Sequence, residues 1–149
     1  MTIYLGTDHR GYKLKENIFQ WLVDGGHLVE DYGAYELNPD DDYTLHAEKV
    51  ASVVAREKEA FGILLCGSGV GMAVAANKFD NIRASVGKEV DQVKAGRCDD
   101  DLNILVIAAD FTSETEAKEM IETFLQTRFD GEVRHVRRLE DIKRIEANN

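Results

Sequence analysis

Hydrophobic and polar positions along the chain follow two rhythms in alternation. Ile63, Leu64 and Leu65, and again Ile104 to Ala108, are unbroken apolar runs without the every-second-residue pattern of a half-wet strand, so they predict strands covered on both faces. Ile3 to Thr7 predicts a first strand ending at Asp8-His9, and His27 to Tyr32 and Ile82 to Val86 predict two more. Between the strands the apolar spacing changes to threes and fours. Leu14, Ile18, Trp21 and Leu22 mark one helical face that stops at Gly25-Gly26. His46, Val50, Val53 and Val54 mark a second, entered through the polar turn Asn38 to Asp42. Lys88 to Arg97 predicts a short helix with few apolar residues. Ser113 and Glu116 form a capping box ahead of Ala117, Met120, Ile121, Phe124 and Leu125, and Val133 to Glu146 predicts a closing helix that is basic at its start.

Strands separated by helices imply right-handed strand–helix–strand units. The expected fold is therefore α/β: a doubly wound, Rossmann-like, five-stranded parallel sheet with helices on both faces. With 149 residues, 44% of them hydrophobic, and a single proline, one domain over 1–149 is expected rather than two joined by a linker. A formal net charge of −10 opposes a nucleic-acid partner, and an anionic substrate would have to be captured by a local basic cluster. No apolar run reaches the ~18 residues of a membrane span, and the chain opens on a strand rather than a basic leader. Cys66 and Cys98 form neither a CxxC motif nor a disulfide framework. The expectation is a soluble, cytoplasmic protein with no membrane partner.

The candidate chemistry centres on the end of the third predicted strand, where the apolar run stops at Cys66 and becomes Gly67-Ser68-Gly69-Val70-Gly71. Glycine at every second position lets backbone N–H groups close on an anion where the next helix begins. Three familiar loops fail on named residues. A dinucleotide fingerprint needs G-x-G-x-x-G after the first strand, a P-loop needs Gly-Lys-Ser/Thr, and a C-x5-R phosphatase loop needs an arginine where Met72 stands. What remains is a thiol beside backbone donors and a hydroxyl, Ser68. The helix N-terminus is expected to lower the Cys66 pKa toward neutrality, making the thiol a proton acceptor, while loop amides meet the charge of an enediolate. This is aldose–ketose isomerase chemistry.

Ligands of doubly wound sheets bind outside the carboxyl ends of the strands. The pattern places Asp8, His9, Cys66 and Asp110 at those ends, with Cys98 to Asp101, just before the fifth strand, expected to converge on the same edge. Asp40 to Asp42 and Asp99 to Asp101 lack the spacing of a calcium loop, so no metal is expected. Cys98 and His46 are read as packing residues.

Gly6-Thr7-Asp8-His9-Arg10-Gly11, Asp42-Tyr43, Gly62 to Gly71, Ala75 to Lys78, Ile82-Arg83-Ala84 and Arg134-His135 with Arg138 together resemble the ribose-5-phosphate isomerase B / galactose-6-phosphate isomerase (RpiB/LacAB) family, in register over essentially the whole chain. The resemblance implies that Cys66 moves a proton between the first two sugar carbons through a cis-enediolate, while Ser68 handles the hydroxyl proton. It implies that Asp8 holds sugar hydroxyls, that Tyr43 lines the site, and that the amides of Gly67, Gly69, Val70 and Gly71 stabilise the anion. His9, Arg134 and Arg138 match phosphate-binding positions, and His135 belongs to the same tail. No cofactor is implied. The family forms homodimers or homotetramers in which a neighbouring subunit completes each site.

Two departures from the pattern matter, one at a pair of residues and one at a single residue. Asp99 and Asp100 fall where the family has a His-Asn pair credited with ring opening and with supporting the anion hole, and Asp110 falls where ribose-type members carry a phosphate-binding arginine. Arg10 replaces a small residue beside His9, a change that could compensate for the missing cation. These changes imply poor activity on ribose 5-phosphate relative to another substrate, such as a four-carbon sugar phosphate. The alternatives are a galactose-6-phosphate isomerase-type or tetrose-phosphate isomerase, and a catalytically lapsed sugar-phosphate-binding protein.

Overall fold

Five strands, β1 (Thr2–Thr7), β2 (Leu28–Asp31), β3 (Ala60–Cys66), β4 (Ala84–Gly87) and β5 (Ile104–Ala108), form one all-parallel sheet in the order β2-β1-β3-β5-β4 in a computed structural model that describes residues 1–148. Six helices accompany them: α1 (Tyr12–Asp24), α2 (Tyr43–Val54), α3 (Val70–Ala76), α4 (Val90–Asp100), α5 (Glu114–Gln126) and α6 (Val133–Glu146). The unbroken apolar runs are buried on both faces, as their pattern requires. Ile3, Leu5, Ile63, Leu65, Leu105 and Ile107 pack against α1, α4 and α5 through Ile18, Leu22, Val93, Met120, Ile121 and Phe124. Tyr4, Leu64, Ile104 and Val106 point the other way, onto Ala47, Val50, Ala51 and Val54 of α2 and Met72 and Ala76 of α3. Among the described residues no helix is long and apolar enough to cross a membrane.

Local signals set most boundaries. Ser113 Oγ accepts from the Glu116 N–H at 3.3 Å while the Glu116 carboxylate accepts from the Ser113 N–H at 2.8 Å, closing the expected capping box of α5. Elsewhere tertiary contacts move the ends. β4 begins at Ala84 rather than Ile82, because the Asn103 side chain takes the Arg83 N–H at 2.8 Å before the ladder starts. α4 runs past Arg97 to Asp100, since the nearly buried Arg97 guanidinium donates to the Leu102 carbonyl at 2.6 Å and to Asp101 at 2.8 Å. Lys15 is fully buried and donates from Nζ to Asp31 at 2.6 Å and to the Ala34 carbonyl at 3.0 Å, which pins the chain leaving β2 against α1.

One expectation is overturned by the winding. A parallel crossover carries the chain from the carboxyl end of one strand back to the amino end of the next. The α4 terminus, with Cys98 to Asp101, therefore lies at the amino edge of the sheet, where Asp101 pairs with Arg83 at 2.9 Å just ahead of β4. It does not share the edge that carries Cys66.

Candidate active site

The pairing of β1 with β3 sets Thr7 opposite Leu65, so Asp8 and Cys66 leave the sheet on neighbouring strands, with the Asp8 N–H on the Leu65 carbonyl at 3.3 Å. On the other side β5 sets Ala108 opposite Cys66. The Ala109 N–H then donates to the Cys66 carbonyl at 2.8 Å, and the Asp110 N–H to the Gly67 carbonyl at 3.1 Å. The chain turns from β2 on one side of β1 to β3 on the other, and this reversal opens a crevice above the strand ends. A cleft of about 460 Å³ lies there, lined among others by Asp8, Arg10, Tyr43, Cys66, Ser68 and Asp110, with the exposed Phe111 at its rim.

The glycine loop is shaped for this place. Gly69 has φ of 76°, a left-handed conformation that turns the chain into α3. A Cβ on Gly71 would stand 2.8 Å from both Cε2 and Cζ of Tyr43, so only glycine lets that ring lie against the loop. Ser68 Oγ accepts the Val70 N–H at 3.3 Å.

The electrostatics correct the expectation for the thiol. Cys66 is only 4% exposed, and burial pushes its pKa up, reinforced by the carboxylates of Asp8 and Asp110. The N–H groups of Met72 and Gly69 hydrogen-bond the sulfur and pull the other way, but less strongly. The opening turn of the helix thus stabilises a thiolate, as expected, yet desolvation wins and the net shift is upward. Asp8, also nearly buried, is raised by burial against the N–H groups of Arg10 and Gly11, which reach its Oδ1 at 2.9 and 3.3 Å.

Beside the cleft, one carboxylate organises two histidines. Asp41 Oδ1 accepts from the His9 backbone N–H at 3.0 Å and bonds His9 Nδ1 at 2.7 Å, while Oδ2 bonds His46 Nε2 at 3.1 Å. Burial pushes Asp41 up, but these hydrogen bonds outweigh it and hold the carboxyl below its usual range. His46 is buried, as its place on the apolar stripe predicts, and its Nδ1 has no hydrogen-bond partner among the described residues.

The remaining expected site residues form a separate group at the amino edge. Arg134 Nε donates to His135 Nε2 at 3.0 Å, and because a guanidinium can only donate, the ring proton sits on Nδ1 and bonds Asp130 at 2.9 Å. His135, expected to bind substrate, is 2% exposed here, with one ring nitrogen on Asp130 and the other on Arg134. Asp99 Oδ1 lies 3.9 Å from His135 Nδ1, whereas Asp100, Arg134 and Arg138 face outward. Cys98, Asp99 and Asp130 bring ligand-type atoms within 4.8 Å of one another. A second cavity of about 460 Å³, at this edge, is lined among others by Arg56, Arg83, Asp101 and Lys143, and no cysteine, serine or threonine lines it.

One chain therefore unites Asp8, Tyr43, Cys66, Ser68 and the glycine loop, with His9 adjoining, and leaves Asp99, Asp100, Arg134, His135 and Arg138 on the far side. Asp41, Phe111 and the contact between Arg10 and Asp110 were not identified from sequence as parts of the site. Nothing local marks Asp41 or Phe111. Arg10 alone gave a signal, as a charged residue that replaces a small one beside His9.

Comparison with known proteins places these features. The sequence profile of the family described as Ribose/Galactose Isomerase matches residues 3–142. The ribose-5-phosphate isomerase B of Escherichia coli (strain K12) is 38% identical, over 97% of this chain and 95% of that one. The probable ribose-5-phosphate isomerase B of Mycoplasma pneumoniae is 35% identical, over 94% of this chain and 91% of that one. The crystal structure of ribose-5-phosphate isomerase B from Mycoplasma genitalium with bound ribulose-5-phosphate matches with a TM-score of 0.95 at 32% identity, covering 99% of this chain and 97% of that one.

Proposed function

This chain belongs to the ribose/galactose isomerase family, and on that premise we propose that it interconverts an aldose and a ketose sugar phosphate, with ribose 5-phosphate and ribulose 5-phosphate the first pair to test. The observation that carries the reading is the adjacency of Asp8 and Cys66 in one cleft, beside a loop whose amides point at the thiol. As a thiolate, Cys66 takes the proton from C2 of the open-chain aldose. The C–H electron pair becomes the C1=C2 bond of a cis-enediolate, and the former carbonyl oxygen, O1, takes the negative charge. Ser68 Oγ passes the hydroxyl proton from O2 to O1, and the thiol returns its proton to C1, giving the ketose. Because Gly69 and Met72 N–H serve the sulfur, we assign the amides of Gly67 and Gly71 to the enediolate oxygen. Asp8 and Tyr43 hold the sugar hydroxyls.

Asp99, Asp100, Arg134 and Arg138 belong, in this reading, to the site of a second copy in a homodimer or homotetramer. Their position on the opposite edge supports this, as does α6, which leaves Val133 and Ile145 exposed. The compartment we assign is the cytoplasm, where Cys66 and Cys98 stay reduced.

Purified protein assayed on C4 to C6 aldose and ketose phosphates tests the activity. Turnover of at least one pair, abolished by Cys66→Ala, is expected; binding without turnover would leave a sugar-phosphate-binding protein instead. Light scattering during size-exclusion chromatography tests the shared site, and a fully active monomer at micromolar concentration would refute it.

A further inference from the structure

A sugar phosphate brings up to two negative charges to a chain whose formal net charge is −10. Its cleft offers two carboxylates, Asp8 and Asp110, and among the residues lining it Arg10 is the one cation. Arg10 is anchored at both ends. Its backbone N–H donates to Asp8 Oδ1 at 2.9 Å, and its guanidinium donates from one terminal nitrogen to Asp110 Oδ2. Between these anchors the side chain lies across Gly67, where an added Cβ would stand 2.5 Å from Nε and 2.8 Å from Cδ of Arg10, and 2.8 Å from Asp110 Oδ2. Glycine at 67 is thus what lets the pair settle onto the loop directly after Cys66.

The guanidinium is not used up by this contact. Five N–H donors sit on its rim, and among the described residues only Asp110 accepts from them. The side chain is 55% exposed and Asp110 33%, so the pair is a solvated one that water and salt screen. A phosphate oxygen pair can bind a free edge of the fork in bidentate fashion while Asp110 keeps its own corner. The aspartate that stands where a cation is expected at position 110 holds another cation beside it, so one of the two charge units lost by exchanging Arg for Asp is restored by Arg10.

We propose that Arg10 is the phosphate-binding residue that this chain contributes to its own cleft, and that Asp110 is the positioning residue that aims it. The proposal deepens the isomerase reading and rests on it only in taking the bound anion to be the substrate's phosphate. Arg10 works from within the chain that carries Cys66, in addition to whatever Arg134 and Arg138 of a second copy supply. It also offsets part of the loss of a phosphate-binding cation at position 110.

The test combines calorimetric titration of the full-length protein with inorganic phosphate and steady-state kinetics on the sugar phosphate turned over best. Arg10→Gln should raise both the phosphate Kd and KM by about ten- to hundredfold, the cost of a lost charge-assisted hydrogen bond, with kcat nearly unchanged. Arg10→Lys should fall between. Asp110→Asn should raise the same two quantities less, and Arg10→Gln/Asp110→Asn should be no worse than Arg10→Gln alone, because Asp110 acts through Arg10. Unchanged phosphate binding in Arg10→Gln overturns the proposal, and tighter binding in Asp110→Asn overturns the positioning role by showing that Asp110 merely repels the anion. Arg10 is exposed, so the variants should keep the wild-type melting temperature. If wild type turns over no sugar phosphate, the isomerase reading fails, while phosphate binding still decides the role of Arg10.

Discussion

Cys66 serves as the base only as a thiolate, and its surroundings make that form scarce. An ordinary thiol, with a pKa of about 8.5, is about 3% ionised at pH 7. Burial at 4% exposure, with Asp8 and Asp110 nearby, outweighs the Met72 and Gly69 amides and pushes Cys66 up, so its ionised fraction is smaller still. The sign follows: a raised pKa keeps the proton on sulfur to higher pH, so kcat/KM should climb by close to tenfold per pH unit and not level off within the ordinary thiol range. Between pH 6.5 and 8.5 the rise should approach a hundredfold. The assay is initial-rate isomerisation at constant ionic strength, with the ketose detected directly. Cys66→Ala should lose about 10²- to 10⁴-fold at every pH, the usual worth of a general base. The same linkage acts on the fold, since keeping the thiol neutral contributes stability that is present at low pH and lost as pH rises through the raised pKa. A flat rate profile from pH 6.5 to 8.5, or Cys66→Ala within tenfold of wild type, would refute the assignment.

Gly71→Ala should displace the Tyr43 ring, which an added Cβ would approach to 2.8 Å. Because Tyr43 is 40% exposed it can swing away, so the melting temperature should hold while kcat/KM falls roughly ten- to hundredfold; an unchanged rate would remove Tyr43 from the site. Lys15→Met should cost about 3 kcal/mol in a urea unfolding titration, because it leaves the part-buried Asp31 carboxylate and the Ala34 carbonyl without their ammonium donor; a loss under about 1 kcal/mol would show that the strut is dispensable. EDTA should leave turnover unchanged, since the proposed groups are a thiol, a hydroxyl and amides, and a rate restored by an added divalent ion would contradict this.

Position along the chain was enough to reveal the strand that ends at Cys66, the loop that follows it, the capping box of α5 and the full extent of α6. Each rests on residues within a few positions of one another, where hydrophobic period, glycine and capping chemistry act directly on the local backbone. Three features needed the folded chain. The direction of the Cys66 shift is set first by the packing that buries the sulfur, with a smaller push from carboxylates 58 positions before it and 44 after it, and neither can be read from residues next to Cys66. Arg10 and Asp110 meet because β1 and β5 flank β3, which no pattern at either position announces. Asp99 and Asp100 lie near the strand that leads to Asp110 in sequence yet at the opposite edge in space, because in a parallel sheet a helix returns to the amino end before the next strand begins. Sequence order gives which strand a residue precedes; only the direction of that strand gives which side of the molecule it faces.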